Sequence, residues 1–213
     1  MNDIREGLKA YIEAEIIPRY HAFDKAHRES HVRLVIAQAL ELADMLDADG
    51  ELLYAAAAYH DTGLVEGRER HHLVSGEIVR SDQRLREWFS EEQIELIAEA
   101  AEDHRASSDH APRSLYGRII AEADRFIEAE TIIRRTVQYS LQHYPELSRE
   151  GHLERCLGHL KEKYGDGGYL KLWIPESPNA RRLEELRAII RNEPQVTRLT
   201  RQILDEELIT AEA

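Results

Sequence analysis

The chain has 213 residues, enough for one sizeable domain or for a domain with a helical extension. Its 28 Lys and Arg residues face 41 Asp and Glu residues, a formal net charge of −13 that disfavours general binding to nucleic acids or anionic membranes. Any anionic substrate is therefore expected to be small and to meet a local positive site, such as a metal ion.

The composition also indicates a cellular compartment. The single cysteine, Cys156, excludes an internal disulfide and is typical of a reducing cytoplasm. The N-terminus lacks an apolar core of signal-peptide length, and no run approaches the roughly 18 apolar residues of a membrane helix. We therefore expect a soluble cytoplasmic protein; its oligomeric state is not predicted by the sequence.

Helical periodicity dominates the chain, and no convincing run of alternating strand residues is present. A first helix is expected after Asp3, with a disturbance at Pro18. A second helix, over residues 27–46, is expected to stop at DADG, with Gly50 as its terminator. The alanine-rich helix that follows ends at His60–Asp61, where Gly63 is expected to close it in the left-handed conformation.

The middle of the chain alternates loops with helices. Residues 62–70 are predicted as a loop and residues 71–81 as a short helix. Ser90, with Gln93 three residues later, predicts a capping box that opens a helix ending near His104. After a polar loop, one long helix is expected over residues 115–141, with Asp124 in its first half.

The C-terminal third has three features. Ser148 is expected to cap a helix, GDGG at 165–168 breaks the chain, and YLKLWIPES at 169–177 looks extended. Ser177 with Pro178 predicts a helix start, and a last amphipathic helix covers residues 196–208. Because no repeat, low-complexity tract or flexible linker is present, we expect a single all-α domain.

The adjacent His60 and Asp61 suggest a metal site, since imidazole nitrogen and carboxylate oxygen are common ligands. Neighbouring residues on a helix point about 100° apart, so both can reach one ion only where the helix ends. His31 and Asp124 are further candidates because each lies among apolar residues on one helical face. Taken singly, each of these residues is more often structural, through the helix dipole or plain solvation.

Three segments in order, DKAHRESHVRLV, YHDTG and IIAEADR, resemble the HD-domain superfamily of metal-dependent phosphohydrolases. The resemblance implies that His31, His60, Asp61 and Asp124 bind one divalent ion inside a helical bundle. It implies an HD-type domain over 1–213, with a core at about 20–130 and a helical extension at about 131–213. The ion could be Mn, Mg, Fe, Co, Ni or Zn.

Family members that bind two metals have two extra histidines between the HD pair and the last aspartate. By that resemblance His72 and His104 are the best candidates here, for a second ion or for a substrate phosphate and its leaving group. Merely buried histidines are the alternative. His71 and His110 are expected to be solvent-facing loop residues. His27 either supports His31 or lies partly exposed at a helix start.

The resemblance also implies a mechanism. Asp61 would ligate the ion and orient or deprotonate the attacking water, while His72 and His104, if protonated, would assist the phosphate or the leaving oxygen. Arg68, Arg105 and Lys171 are candidates for binding the substrate phosphate, although surface cations are more often solvated. The segment around Lys171 either closes the metal cleft or serves as a structural strap.

The leading hypothesis is a phosphohydrolase acting on a small phosphorylated metabolite, with nucleotides among the candidates. A di-iron oxygenase of the HD type is an alternative, and it requires both His72 and His104 as ligands. A non-catalytic regulatory HD module is the third hypothesis. It ranks last because all four core ligands are present.

Overall fold

The computed structural model describes residues 3–23, 28–108 and 110–212, with side chains to residue 210. Every regular element in these ranges is helical, which confirms the all-α prediction. The α-helices are α1 (Glu6–Tyr11), α2 (Glu29–Leu46), α3 (Gly50–Tyr59), α4 (His71–Ser81), α5 (Glu91–Glu102), α6 (Leu115–Ala123), α7 (Ala129–His143), α8 (Arg149–Tyr164), α9 (Pro178–Arg191) and α10 (Glu193–Glu212). None of the described helices is both long enough and apolar enough to span a bilayer. The supporting role considered for His27 lies outside the described residues.

Shorter helical turns connect some of these helices. A π-helical turn covers Ile12–Ile16, and 3₁₀ turns cover Ile17–Ala22, Thr62–Glu66 and Gln83–Glu87. The chain forms two compact units, Met1–Arg125 and Phe126–Ala213, here called the N-terminal and C-terminal units. The single-domain organisation over 1–213 stays a prediction.

In the N-terminal unit, α3 lies at the centre and packs against α2, α5 and α6. Its four alanines, Ala55–Ala58, are fully buried. A helix that is apolar on all sides is stable only when other helices surround it, and alanine lets them approach closely. The C-terminal end of α3 is therefore surrounded by protein, which determines where His60 and Asp61 lie.

The connection between α2 and α3 differs from the prediction. Asp47, at the end of α2, adopts the left-handed conformation with φ of 51°. Gly50 is the first residue of α3, so its predicted role as the α2 terminator is wrong. The carboxylate of Asp49 accepts hydrogen bonds from the amides of Glu51 and Leu52, which makes Asp49 the N-cap of the new helix.

The long helix predicted over 115–141 is also wrong, because α6 ends at Ala123 and α7 begins at Ala129. The side chain of Glu128 caps α7 by accepting hydrogen bonds from the amides of Glu130 and Thr131. Asp124 is therefore not inside a helix but at the C-terminal end of α6.

In the C-terminal unit, α7 packs against α8 and α10 around a core that includes Val137, Leu153 and Leu160. The predicted cap of α8 is confirmed, because Ser148 accepts the Gly151 amide, and α9 begins at Pro178 as predicted. After α8 the chain turns back, and the amides of Tyr169 and Leu170 donate to carbonyls of α8. Lys171 is exposed in the segment that follows.

Gly63 is required for a reason other than the predicted one. The described residues with positive φ are Asp47 and Gly67, so Gly63 does not close α3 in the left-handed conformation, and that expectation is wrong. A Cβ atom at position 63 would lie 2.0 Å from the His71 carbonyl oxygen and 2.6 Å from the Ser75 amide nitrogen. Glycine is needed because the 3₁₀ turn after Asp61 lies directly against α4.

We predict that Gly63→Ala lowers the free energy of unfolding by at least about 2 kcal/mol, because the backbone of α4 must move to admit a methyl group. Gly158→Ala is the control, since no atom lies within 4 Å of a Cβ at that exposed position on α8. The control should be neutral or stabilising by up to about 1 kcal/mol. Urea unfolding followed by circular dichroism measures both, and equal midpoints for the two variants would contradict the packing argument.

Candidate metal centre

Four predicted residues converge at one buried point. The His31 Nε2 atom lies 3.3 Å from His60 Nε2 and 3.1 Å from Asp124 Oδ1. Asp61 Oδ2 lies 3.2 Å from His60 Nε2 and 3.6 Å from His31 Nε2. His31 comes from the first turn of α2, the His60–Asp61 pair from the end of α3, and Asp124 from the end of α6.

The two adjacent residues converge because the helix ends between them. His60 still has helical backbone angles, with φ −52° and ψ −38°. Asp61 has φ −107° and ψ 4°, in the bridge region that active-site residues often occupy. This change of direction turns side chains that a continuous helix would separate toward one point, as the sequence predicted.

A second cluster lies directly beside the first. Asp61 Oδ1 lies 3.5 Å from His71 Nε2 and 3.4 Å from His104 Nε2. The two imidazole nitrogens are 3.2 Å apart. Asp61 therefore presents one carboxylate oxygen to each cluster, and the clusters share this side chain.

Backbone carbonyls fix the orientation of three imidazoles. The Nδ1–H groups of His60, His71 and His104 donate to the carbonyls of Ala57, Arg68 and Ala101 at 2.7, 2.8 and 2.6 Å, respectively. Because a carbonyl only accepts, the proton of each neutral ring lies on Nδ1, and the lone pair of Nε2 points into its cluster.

Helix ends add to the local negative potential. The helices α3, α5 and α6 all terminate at the clusters, at His60, Asp103 and Asp124. The C-terminal end of a helix carries a partial negative charge, which favours a cation. The fold therefore directs both ionised side chains and backbone dipoles toward the same buried region.

Both clusters have the donors and the spacing that a divalent ion needs. Ligands bound at about 2.1 Å from one ion, at tetrahedral or octahedral angles, lie roughly 3.0–3.4 Å apart. In the first cluster, the ligand atoms of His31, His60 and Asp124 lie between 3.1 and 3.8 Å apart. Converging lone pairs and carboxylate oxygens repel one another unless a proton or a cation lies between them, so the donor set fits a metal.

The pKa values reflect this crowding. Burial alone would lower the pKa of His31, but the carboxylates of Asp124 and Asp61 outweigh it and raise the pKa to about 9. Burial and the neighbouring His104 lower the pKa of His71 to about 4. Burial opposes ionisation of Asp61, yet the surrounding histidines hold its pKa well below the usual range. Asp61 is therefore ionised at neutral pH and available as a ligand.

The second cluster contains His71 and not the predicted His72. The expectation that His71 faces solvent is wrong, because its ring is only 14% exposed and lies beside Asp61. His71, Ser75 and Val79 are spaced four residues apart on one side of α4, and the latter two are fully buried. That spacing could have identified His71 from the sequence. His72, one position on, is half-buried outside both clusters.

The other residues predicted near the site lie outside both clusters. Arg105 follows His104 and donates to the Glu69 carbonyl at 2.8 Å, so it holds the loop before α4. Arg68 lies in that loop and is exposed, and His110 is exposed as predicted. Lys171 belongs to the C-terminal unit. The roles of Arg68, Arg105 and Lys171 in binding a substrate stay predictions.

Helices whose ends bring histidines and aspartates into two adjoining clusters define an all-α unit able to hold divalent metal ions. Residues 28–129 match the family model described as HD domain, and this part of the chain belongs to the HD-domain superfamily, as the three sequence segments indicated. The match contains both clusters. A search of curated proteins and a search of solved structures found no match to the chain.

We predict that His71→Ala weakens the binding of one metal ion by at least about tenfold, because it removes a donor from the second cluster. His72→Ala is the matched control, since it changes the same residue type at the adjacent position outside the clusters. Calorimetric titration of the metal-free protein with Mn²⁺ gives the number of ions and their affinities. Equal losses in the two variants would argue against the assignment of His71.

Proposed function

We propose that this protein is a metal-dependent phosphohydrolase acting on a small phosphorylated metabolite. HD domains generally have metal-dependent phosphohydrolase-type activity. The observation that carries the proposal is the position of Asp61, whose two oxygens face two clusters of metal-ligand type. A carboxylate in that position can hold a water molecule next to a phosphate bound at either cluster.

A divalent ion held by His31, His60 and Asp124 would supply a Lewis acid and would lower the pKa of a bound water molecule toward about 7. Asp61, which is ionised, orients the attacking water and accepts its proton. The water oxygen forms a bond to phosphorus while the bond from phosphorus to the leaving oxygen breaks. The leaving oxygen then takes up a proton.

His104 is suited to deliver that proton when no second ion occupies its cluster. Burial lowers the pKa of His104, but the hydrogen bond and charge of Asp61 outweigh burial and raise it. Its Nδ1–H is held by the Ala101 carbonyl, so Nε2 is the atom that exchanges the proton. His72 is a second candidate, because its ring centroid lies 5.6 Å from that of His71. If a second ion were bound, His71 and His104 would serve as its ligands instead.

The net charge of the chain limits the size of an anionic substrate. With a net charge of −13, the surface repels large polyanions, whereas one small phosphate can be met by the centre and by local cations. The Glu69 carbonyl holds Arg105 beside His104, and Arg68 lies next to Glu69 in the loop before α4. A nucleotide satisfies these requirements, as do other small phosphate esters. Nucleic acids and anionic membranes do not.

A di-iron oxygenase is the second candidate function, favoured by one observation. Asp61 lies between two histidine-containing clusters, and a shared carboxylate is also suited to a pair of irons. Iron content and substrate-dependent oxygen consumption separate this activity from hydrolysis. A non-catalytic regulatory module is less favoured, because a degenerate site would lack ligands that are present here.

The proposal is tested by screening phosphorylated metabolites with Mg, Mn, Co, Ni and Fe added separately. We predict that Asp61→Ala abolishes the activity found, since it removes the side chain shared by both clusters. His104→Ala should lower kcat by roughly 10²–10⁴-fold, as expected for loss of acid–base assistance. His110→Ala, at an exposed site, is the control. Similar small effects of all three changes would place the chemistry elsewhere.

We further predict that Lys171→Ala raises KM or lowers kcat/KM with little change in Tm, if its segment contributes to phosphate binding. Trp173→Ala, two residues on, is the paired variant, and a purely structural strap predicts that it lowers Tm without altering kcat/KM. Steady-state kinetics and thermal unfolding measure both. Unchanged KM and kcat/KM in Lys171→Ala would exclude this segment from substrate binding.

A further inference from the structure

The hydroxyl group of Tyr20 lies at the point where α3 ends. Tyr20 belongs to the 3₁₀ turn Ile17–Ala22 and is fully buried. This turn packs against α2, which carries His31, and against the turn Thr62–Glu66, which follows Asp61. Tyr20 precedes residues 28–129, the part of the chain that matches the HD family.

Tyr20 makes two hydrogen bonds to the backbone on either side of the His60–Asp61 pair. Its hydroxyl donates to the Ala58 carbonyl at 2.9 Å and accepts from the Asp61 amide at 3.3 Å. One hydroxyl group thus links the last turn of α3 to the residue at which the chain leaves the helix.

The last carbonyl groups of a helix lack helical partners, and here three side chains supply them. The Ala57 carbonyl accepts from the His60 ring, and the Tyr59 carbonyl accepts from the Thr62 hydroxyl at 2.8 Å. Both of those donors lie within three residues of their acceptors. Tyr20 comes from 38 residues away, so it alone of these three donors ties the end of α3 to a separate part of the fold.

We infer that Tyr20 is a positioning residue for the metal centre. By fixing the Asp61 backbone in the bridge conformation, its hydroxyl holds one carboxylate oxygen toward each cluster. The inference rests on the metal centre of the proposed function and adds to it a residue outside the family match. If Tyr20 served packing alone, its ring would suffice and the hydroxyl would be dispensable.

Tyr20→Phe separates these two roles because it keeps the ring and removes only the hydroxyl. We expect the variant to bind Mn²⁺ about 10–100-fold more weakly, the usual effect of losing a group that supports metal ligands. Tyr54→Phe is the matched control. Tyr54 is a buried tyrosine on α3, and its hydroxyl contacts Glu13 and not the His60–Asp61 pair. Calorimetric titration of the metal-free proteins compares the affinities, and thermal unfolding checks that both variants fold.

Amide hydrogen exchange tests the same bond without metal or substrate. The Asp61 amide should be protected in the unsubstituted protein and exchange at least tenfold faster in Tyr20→Phe, with no such change in Tyr54→Phe. Fast exchange of Asp61 in the unsubstituted protein would overturn the inference even if Tyr20→Phe failed to fold.

The outcomes also separate this inference from the proposed function. Unchanged Mn²⁺ affinity in Tyr20→Phe overturns the role of Tyr20, whether or not the protein hydrolyses phosphate esters. Weaker Mn²⁺ binding in a protein that hydrolyses none of them supports Tyr20 and counts against the phosphohydrolase. An unsubstituted chain that binds no divalent ion overturns both.

Discussion

At the end of α3 the backbone changes from the helical conformation of His60 to the bridge conformation of Asp61, and both clusters depend on this change. In a continuous helix the two side chains would point about 100° apart, and one ion could not contact both. The change alone is not sufficient, because the chain after it must leave room for α4. Gly63 meets that requirement, since a side chain there would collide with the backbone at His71 and Ser75. One short turn therefore brings Asp61 among ligands that four other helices carry.

The second requirement is electrostatic. Two ionised carboxylates and the ends of three helices concentrate negative potential in a buried region of an already acidic chain. Burying such charge is unfavourable unless a proton or a metal ion compensates it. The raised pKa of His31 has the same cause, because the negative potential favours a proton on its imidazole at the place where a cation fits. The same potential would repel a phosphate, so an anionic substrate can approach only when positive charge is present at the centre.

Much of this arrangement could be predicted from the sequence because it depends on local patterns. Apolar spacing located α4 at its observed bounds, the Ser90–Gln93 capping box located the start of α5, and the order of His31, His60, Asp61 and Asp124 indicated the family. These signals lie within a few turns of helix or in short motifs. They do not depend on how distant segments pack.

The wrong predictions concern features that local patterns do not determine. The break between α6 and α7 has no proline or glycine, the apolar spacing continues across it, and the cap is the less common Glu128. Choosing between the adjacent His71 and His72 required knowing which side of α4 faces the turn after Asp61. The role of Gly63 could not be predicted, because it depends on contact with α4, whose position the sequence does not specify.

The two clusters lie on two pairs of packed helices, and these pairs are joined by α3 and by the contact between α5 and α6. His31 and Asp124 come from α2 and α6, which pack against each other, while His71 and His104 come from α4 and the end of α5, which also pack together. A displacement of one helix pair relative to the other would change the distance between the clusters. Asp61 resists that displacement only if its own backbone is fixed. The turn that carries Tyr20 contacts both α2 and the segment after Asp61, so it acts where the two halves of the centre meet. The N-terminal turn therefore adds support to the centre from outside both helix pairs.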